Sequence, residues 1–449
     1  MTSATGLAAP VDVGEVRITV GRPIRLALLV GGDVANLAAA RRVALASCAD
    51  TVLAMRGADR TTLIERASAL RDARADVVLL VAGVGADELA EAIRLAYGEA
   101  AHPVVLVSGP DRGRARLMGA LAALSAEAAP PAASSYGRDA LVARLRALRR
   151  PTGDAILRDE SVEAAARALA VATSRAVVIV DTGSETTTLA FSVADGSSFA
   201  ASAHVGVGAN ADRVVARAGI DRVRRWIPRA VDTPALLDRV FNRARRPETP
   251  PGSALTLALE MAIARESIAH VLAECERAGI DLAPVRLATT IVCCGVPAAW
   301  PRPQQCVLAV LDALAPETLL VIARDSDDAL LRAVGQGQRT AGDVSALLRP
   351  VAIVATLSPR RPQKITVSDA SGPVQAEVSR GALTLIPTTG AVELRAAGTT
   401  KATADTLELG VVLDARGRPL ALPPRDAERI PALSRWTTAL GVLPEAGAS

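Results

Sequence analysis

Apolar positions over the first quarter of the chain alternate between two periods. Leu26–Val30, Thr51–Met55, Val77–Ala82 and Val104–Val107 are short apolar runs of strand length. Between them Asp33–Ser47, Arg60–Ala73, Asp87–Tyr97 and Arg112–Ala123 carry apolar residues at helical spacing, with Asp33 placed as an N-cap. Strands alternating with amphipathic helices predict a parallel sheet with helices on both faces. Glu127–Ser135, rich in Ala, Pro and Ser, predicts a linker or exposed connection, and a helix-rich stretch follows to Ser174.

The period then changes. Ala176–Val180 reads as a buried strand that surfaces at Asp181 and turns through Thr182-Gly183-Ser184-Glu185. Strands over Thr187–Val193 and Ser198–His204 follow, with Asp195-Gly196 as the turn between them. Next come Gly206-Val207-Gly208-Ala209-Asn210, whose glycines read more readily as a tight turn than as a close approach to a ligand, a helix from Ala211, and a proline-rich break at Arg245–Gly252. Leu255–Ala278 predicts a long amphipathic helix and Ala288–Val296 a second buried strand. Gln304–Leu314 and Ser326–Val334 predict helices around a strand at Thr318–Ile322. After Val351, short alternating segments predict a small antiparallel β domain, closed by an amphipathic helix through Trp436. The expected organisation is a loose tail (1–22), a parallel α/β domain (23–126), a lobe carrying the Asp181 hairpin (137–350) and a β-rich region (351–449).

Composition narrows the function classes. Half of the residues are hydrophobic, but only eight are aromatic, and the net charge is +4. No Lys/Arg stripe is interleaved with aromatics, which argues against a nucleic-acid partner. Arg144, Arg146, Arg149 and Arg150 read as a solvated helix face. Cys48, Cys275, Cys293, Cys294 and Cys306 form no Cys-x-x-Cys pair and read as reduced, buried thiols. Without a recognisable signal peptide or membrane-length apolar run, the expected setting is the cytoplasm, with no membrane partner. No Gly-x-Gly-x-x-Gly opens a helix, and the Asp-x-His-x-x-Gly signature of cobalamin-binding domains is missing, since Ala100 stands two places before His102.

The turn after Asp181 carries the chemistry. Gly183 lets backbone approach a phosphate, while Ser184, Thr186 and Thr187 present hydroxyl and amide donors. Asp181 there would hold a hydrated magnesium or orient the attacking water. The residues alone leave an ordinary polar hairpin turn equally open. An apolar strand ending in Asp-Thr-Gly-Ser-Glu-Thr-Thr is similar to the phosphate loop of the actin, sugar-kinase and heat-shock ATPases.

A set of ordered segments sharpens the resemblance. Val77–Gly83, Val178–Thr188, Gly206–Asn210, Trp226-Ile227-Pro228, Arg246–Pro251 with Ala262–Glu266, Val292–Val296 with Leu311–Pro316, and Val412–Leu420 follow one another in family order. Together they resemble the MutL-type accessory proteins of glutamate mutase, from about Arg25 to Gly441. The resemblance implies an α/β fold with actin-like ATPase (ASKHA) lobes. It implies a chaperone or reactivase role toward an adenosylcobalamin-dependent mutase, with ATP and Mg2+ as cofactors and no cobalamin bound directly. It assigns Asp181 to catalysis and magnesium. Phosphate falls to Gly183, Ser184, Thr186 and Thr187, with Gly206 and Gly208 as a second glycine contact and Gly295 on the nucleoside side.

Three departures weigh against turnover. The family's N-terminal Asp-x-Gly-Ser-Thr hairpin is reduced to Asp12-Val13-Gly14; Cys294-Gly295 replaces Gly-Gly; and Glu185 adds negative charge beside a triphosphate. The expectation is a weak or degenerate ATP site with negligible hydrolysis by the isolated chain. The competing expectation is a non-enzymatic pseudo-ATPase scaffold for protein–protein interaction, and a homodimer is left open.

Overall fold

The computed structural model describes residues 17–98, 103–151, 155–335, 337, 344, 346–388, 390–395, 401–404 and 407–443. Asp12–Gly14 and His102 lie outside the described residues. Of the stretch expected as a tail, β1 (Ile18–Thr19) pairs in parallel with β7 (Ile156–Leu157).

The strands β2 (Arg25–Val30), β3 (Asp50–Arg56), β4 (Val77–Val81), β5 (Val104–Ser108) and β6 (Ala126–Ala129) form a five-stranded sheet in the order β3-β2-β4-β5-β6, parallel throughout. β2 and β4 are buried almost end to end, as a sheet covered on both faces requires. Helix Val34–Ala46 starts at Asp33, whose side chain accepts from the Asn36 amide. Helix Leu63–Ala73 starts three residues later than its apolar spacing suggests, because Thr62 and Glu65 form a reciprocal capping box. β6 corrects the linker reading of Glu127–Ser135. Ala-Glu-Ala-Ala carries little strand propensity, and pairing with β5 makes it an edge strand.

The rest is built on an eight-stranded sheet in the order β10-β9-β8-β11-β12-β13-β19-β16. β8 (Val177–Thr182), β9 (Thr187–Ser192) and β10 (Ser198–Ala203) form an antiparallel meander, and β11 (Thr290–Gly295) and β12 (Leu319–Asp325) run parallel to β8. β13 (Arg349–Thr356), β16 (Leu383–Ile386) and β19 (Gly410–Asp414) extend this sheet. Only β14 (Gln363–Asp369), β15 (Gly372–Val378), β17 (Val392–Arg395) and β18 (Lys401–Ala404) form a separate four-stranded antiparallel sheet. A self-contained β domain after Val351 is thus corrected. Val351–Ala355 is apolar on both faces and buried, so it joins the main sheet, with Val351, Ala352 and Val354 in the helix-covered core and Ile353 and Ala355 packed against the small sheet. The fold is α/β, with a parallel-sheet N-terminal region, a meander-plus-parallel sheet of the kind expected for an actin-like lobe, and a β-rich C-terminal region.

Helix Ala254–Arg277 is buried on every side from Leu257 to Ile268, not on one face only. It crosses the core between the sheet and the helices Ala211–Ala218 and Pro303–Leu314. Its charged residues are paired: Glu266 accepts from the Trp226 indole at 2.7 Å, and Arg265 donates to Asp312 at 2.7 Å. The arginine-rich stretch at 144–150 is also not a solvated face. Arg149 is fully buried and donates to both oxygens of Asp159 (3.0 and 2.9 Å), the Ser47 carbonyl (2.6 Å) and the Val20 carbonyl (2.7 Å). It ties the N-terminal domain to helix Arg158–Thr173.

Candidate functional site

Open α/β sheets take ligands at the carboxyl ends of their parallel strands. At that edge of the large sheet the register aligns Asp181 of β8 with Cys294 of β11, and Cys294 with Asp325 of β12. These residues share a row on the face covered by helices Arg158–Thr173 and Ala329–Gly335.

Asp181 does not surface. It is 1% exposed, and both its oxygens accept from Arg158, Nε at 2.7 Å and Nη2 at 2.8 Å. The other edge of the same guanidinium donates to both oxygens of Asp328, at 2.7 and 2.8 Å. Burial alone would lower the Arg158 pKa, but Asp181 and Asp328 outweigh it and raise the pKa above its ordinary value. Arg158 opens one covering helix and Asp328 precedes the other, so the triad clamps both helices to the strand end. Double bidentate geometry of this kind is specific to arginine.

Asp325 stands apart from the clamp. Burial first, then Asp328 and Asp327, raise its carboxyl to about 6 against the amides of Leu330 and Leu331. Its Oδ2 accepts from the Leu331 amide at 3.4 Å, and its Oδ1 has no hydrogen-bond partner. Burial, with Asp181 and Asp325 close by, holds the Cys294 thiol well above its usual range.

The turn at 183–186 is packed on one side by the 206–210 loop, with Gly183 and Ser184 half-buried and Glu185 exposed. Val207 N donates to the Gly183 carbonyl at 3.0 Å, Gly208 N to the Ser184 carbonyl at 3.0 Å, and Ala209 N to Ser184 Oγ at 2.9 Å. The Asn210 amide side chain donates to the Glu185 carbonyl at 2.6 Å. A Cβ on Gly206 would lie 2.5 Å from the Ser184 carbonyl oxygen, and one on Gly208 would lie 2.1 Å from Ser184 Oγ. Gly295, at φ +72°, is held so tightly that a Cβ would lie 2.5 Å from the Thr182 oxygen and 2.8 Å from Asp181 Oδ1. Thr187 donates inward to the Val205 carbonyl at 2.9 Å. The structure thus gathers Asp181, Gly183, Ser184, Thr186, Gly206, Gly208 and Gly295 at one strand end and turns Thr187 into the core. The glycines there serve loop-on-turn packing.

Beyond the 206–210 loop, Pro247 abuts Gly208, and the 246–252 segment closes a cavity of about 360 Å³ over Leu259 and Ile263. Glu260 beneath it is buried and accepts from the Trp300 indole at 2.7 Å, with Arg243 3.0 Å away. Arg239 and Arg246 on its wall have no acidic partner among the described residues.

Residues do not fit a magnesium–triphosphate at Asp181. The carboxylate that would hold the metal already has both oxygens bonded to a fixed cation. Sequence reasoning missed Arg158, Asp325 and Asp328. Arg158 is 23 residues from Asp181, and Asp328 is 170 residues from Arg158, so no local spacing links them. The Asp327-Asp328 pair ahead of a helix was the one available signal.

No family model matches the chain, and no curated protein matches it. Among solved structures, it is similar to the activator of the 2-hydroxyisocaproyl-CoA dehydratase from Clostridium difficile with bound ADPNP. Identity there is 16%, with 53% of this chain and 82% of that chain covered and a TM-score of 0.22. It is also similar to the apo psk41 ParM protein at 14% identity, over 59% of this chain and 72% of that chain, again with a TM-score of 0.22. At such scores neither likeness bears on the activity, and the α/β assignment rests on the strand order above.

Proposed function

We propose that the chain is a non-hydrolysing accessory protein, an actin-like scaffold that acts by binding a partner protein; the ordered segments at 178–188 and 412–420 favour an adenosylcobalamin-dependent mutase as that partner. The observation that carries this reading is Arg158 bound to both oxygens of Asp181. A guanidinium there takes the carboxylate that magnesium would need, and it is permanent and cannot be exchanged. Phosphoryl transfer depends on positioning and charge stabilisation at the metal, so a site locked this way loses turnover first.

The test is thermal melting and phosphate release by the purified chain. A nucleotide at about a hundredfold excess over its dissociation constant would stabilise the protein by roughly 2.7 kcal/mol, a shift of several degrees. The expected result is no magnesium-dependent shift with millimolar ATP or ADP, and no phosphate release with or without purified mutase. A magnesium-dependent shift, or release that Asp181→Asn abolishes, would overturn the reading. A magnesium-independent shift has a separate source: the cavity with unpaired Arg239 and Arg246 suits an anion with an apolar body. In that case Arg246→Ala should remove the shift and Asp181→Asn should not.

A further inference from the structure

The N-terminal sheet has the order β3-β2-β4-β5-β6, so the direction in which successive strands are added reverses between β2 and β4. Crevices at such switch points are where doubly wound sheets take small ligands. Here the crevice is filled by backbone. A Cβ on Gly83 would lie 2.5 Å from the Gly31 carbonyl, and one on Gly57 would lie 2.7 Å from Gly85 Cα. The Gly32 amide donates to the Val84 carbonyl at 2.9 Å, sealing the two loops together. No small molecule can enter between them without parting these contacts.

Above the sealed crevice the surface is apolar. Val34 is 65% exposed, Ile64 72% and Val84 84%, with Leu63 beside them at 40%. Four of the ten large apolar side chains exposed among the described residues stand on this one rim. Each follows a carboxyl strand end: Val34 after β2, Leu63 and Ile64 after β3, Val84 after β4. Single exposed apolar residues need no explanation, whereas a cluster marks an interaction surface.

The fringe is acidic. Asp33 precedes Val34, Glu65 follows Ile64, and Asp87 and Glu88 follow Val84. Asp33 and Glu65 have no cationic partner among the described residues, Asp87 is paired with Arg116, and Glu88 with the buried Arg66. Arg60 is, among the described residues, a cation beside the patch without an acidic partner; Arg112 lies beyond, after β5. Acidic fringes on two copies would repel, so a second copy of this chain is the poorer occupant.

We infer that this rim, centred on Val34, Ile64 and Val84, is the surface through which the chain holds its protein partner, and that the partner presents an apolar ridge edged with Lys or Arg. The inference rests on the accessory reading above and assigns that reading its face. Apolar contact supplies the affinity, and the acidic fringe sets approach and register.

The test uses the full chain and purified adenosylcobalamin-dependent mutase holoenzyme in a direct binding assay. Ile64→Glu with Val84→Glu should weaken binding at least about tenfold, while Phe241→Glu with Leu287→Glu, on other exposed surfaces, should leave it unchanged. Asp87→Lys, at a side chain paired with the exposed Arg116, should also weaken it, more at low salt. All these positions are solvent-exposed, so matched melting curves show that the variants fold. Unchanged binding by the Ile64/Val84 variant overturns the rim and leaves the accessory role intact. If wild-type chain does not bind the mutase, the mutase assignment fails, and the rim is judged by a photo-crosslinking residue at position 84 in cells. An adduct at 84 lost on Ile64→Glu, with none from position 374, supports it. No adduct, or an adduct with a second copy of the chain, overturns it.

Discussion

Asp325 is the residue whose setting makes the sharpest prediction. Its folded-state carboxyl is raised to about 6 from 3.8, so folding favours the neutral form. Stability from this group is therefore present below about pH 4, falls as pH rises to about 6, and stays lost above. Two pKa units correspond to a penalty on the order of 2–3 kcal/mol. Asp325→Asn keeps an acceptor for the Leu331 amide and removes the charge. The variant should melt several degrees above wild type at pH 8, with the difference closing toward pH 4. Equal melting at both pH values would show that the carboxyl is not perturbed. Asp181 behaves oppositely. It was expected at the surface, where Asp181→Ala would leave the apo melting point nearly unchanged. Buried against Arg158, its loss leaves one edge of that guanidinium unpaired while Asp328 keeps the other, and Asp181→Ala should cost on the order of 1–3 kcal/mol in a denaturant titration.

The element that most changes in meaning is the 204–210 loop. As a sequence its two glycines read as a tight turn or as backbone a phosphate could approach; in the fold the loop is hydrogen-bonded onto the Asp181 turn. Gly206→Ala would drive a Cβ into the Ser184 carbonyl, backbone that cannot step aside. The cost should be on the order of 1–3 kcal/mol by urea unfolding, as for other overpacked positions. Gly252→Ala, with open space around it, is the control and should be neutral. Equal stability of the two variants would mean that the loop does not seal the turn.

At the scale of the molecule, the segment Asp414-Ala415-Arg416-Gly417-Arg418 turns out to be internal bracing. Arg416 donates to Asp312 at 2.6 Å and to both oxygens of Asp414 (3.0 and 2.8 Å), and it lies over the Trp436 ring at 5.0 Å. Arg265 completes the network from the central helix. One cluster thereby joins helix Ala254–Arg277, helix Pro303–Leu314, β19 and the closing helix Asp426–Ala439. Burial opposes ionisation of Asp414, and Arg416 and Arg418 overcome it, lowering its carboxyl to about 2. This stability is present above about pH 4 and lost as pH falls toward 2. Arg416→Met leaves two carboxylates short of a buried partner and should cost on the order of 3–5 kcal/mol at pH 7. Measured at pH 2, the same substitution should cost much less; a pH-independent cost would count against the network.

The four parallel strands β2–β5, their helices, the Asp181 meander and the closing helix were legible from the chain itself. Each is decided by local periodicity, and periodicity survives without tertiary context. β6 was not, because Ala126–Ala129 has no strand pattern and becomes a strand only by pairing. Nor was the joining of β13 and β19 to the large sheet, since a buried apolar run does not say which sheet will bury it. The candidate site divides the same way. Asp181, its turn and the neighbouring glycines lie in one recognisable stretch, and the structure does bring them together. Whether Asp181 is free to hold a metal was decided by Arg158 and Asp328, brought in by two helices distant in sequence. Pairing of charges is a property of distance in space, and the chain states only distance along itself.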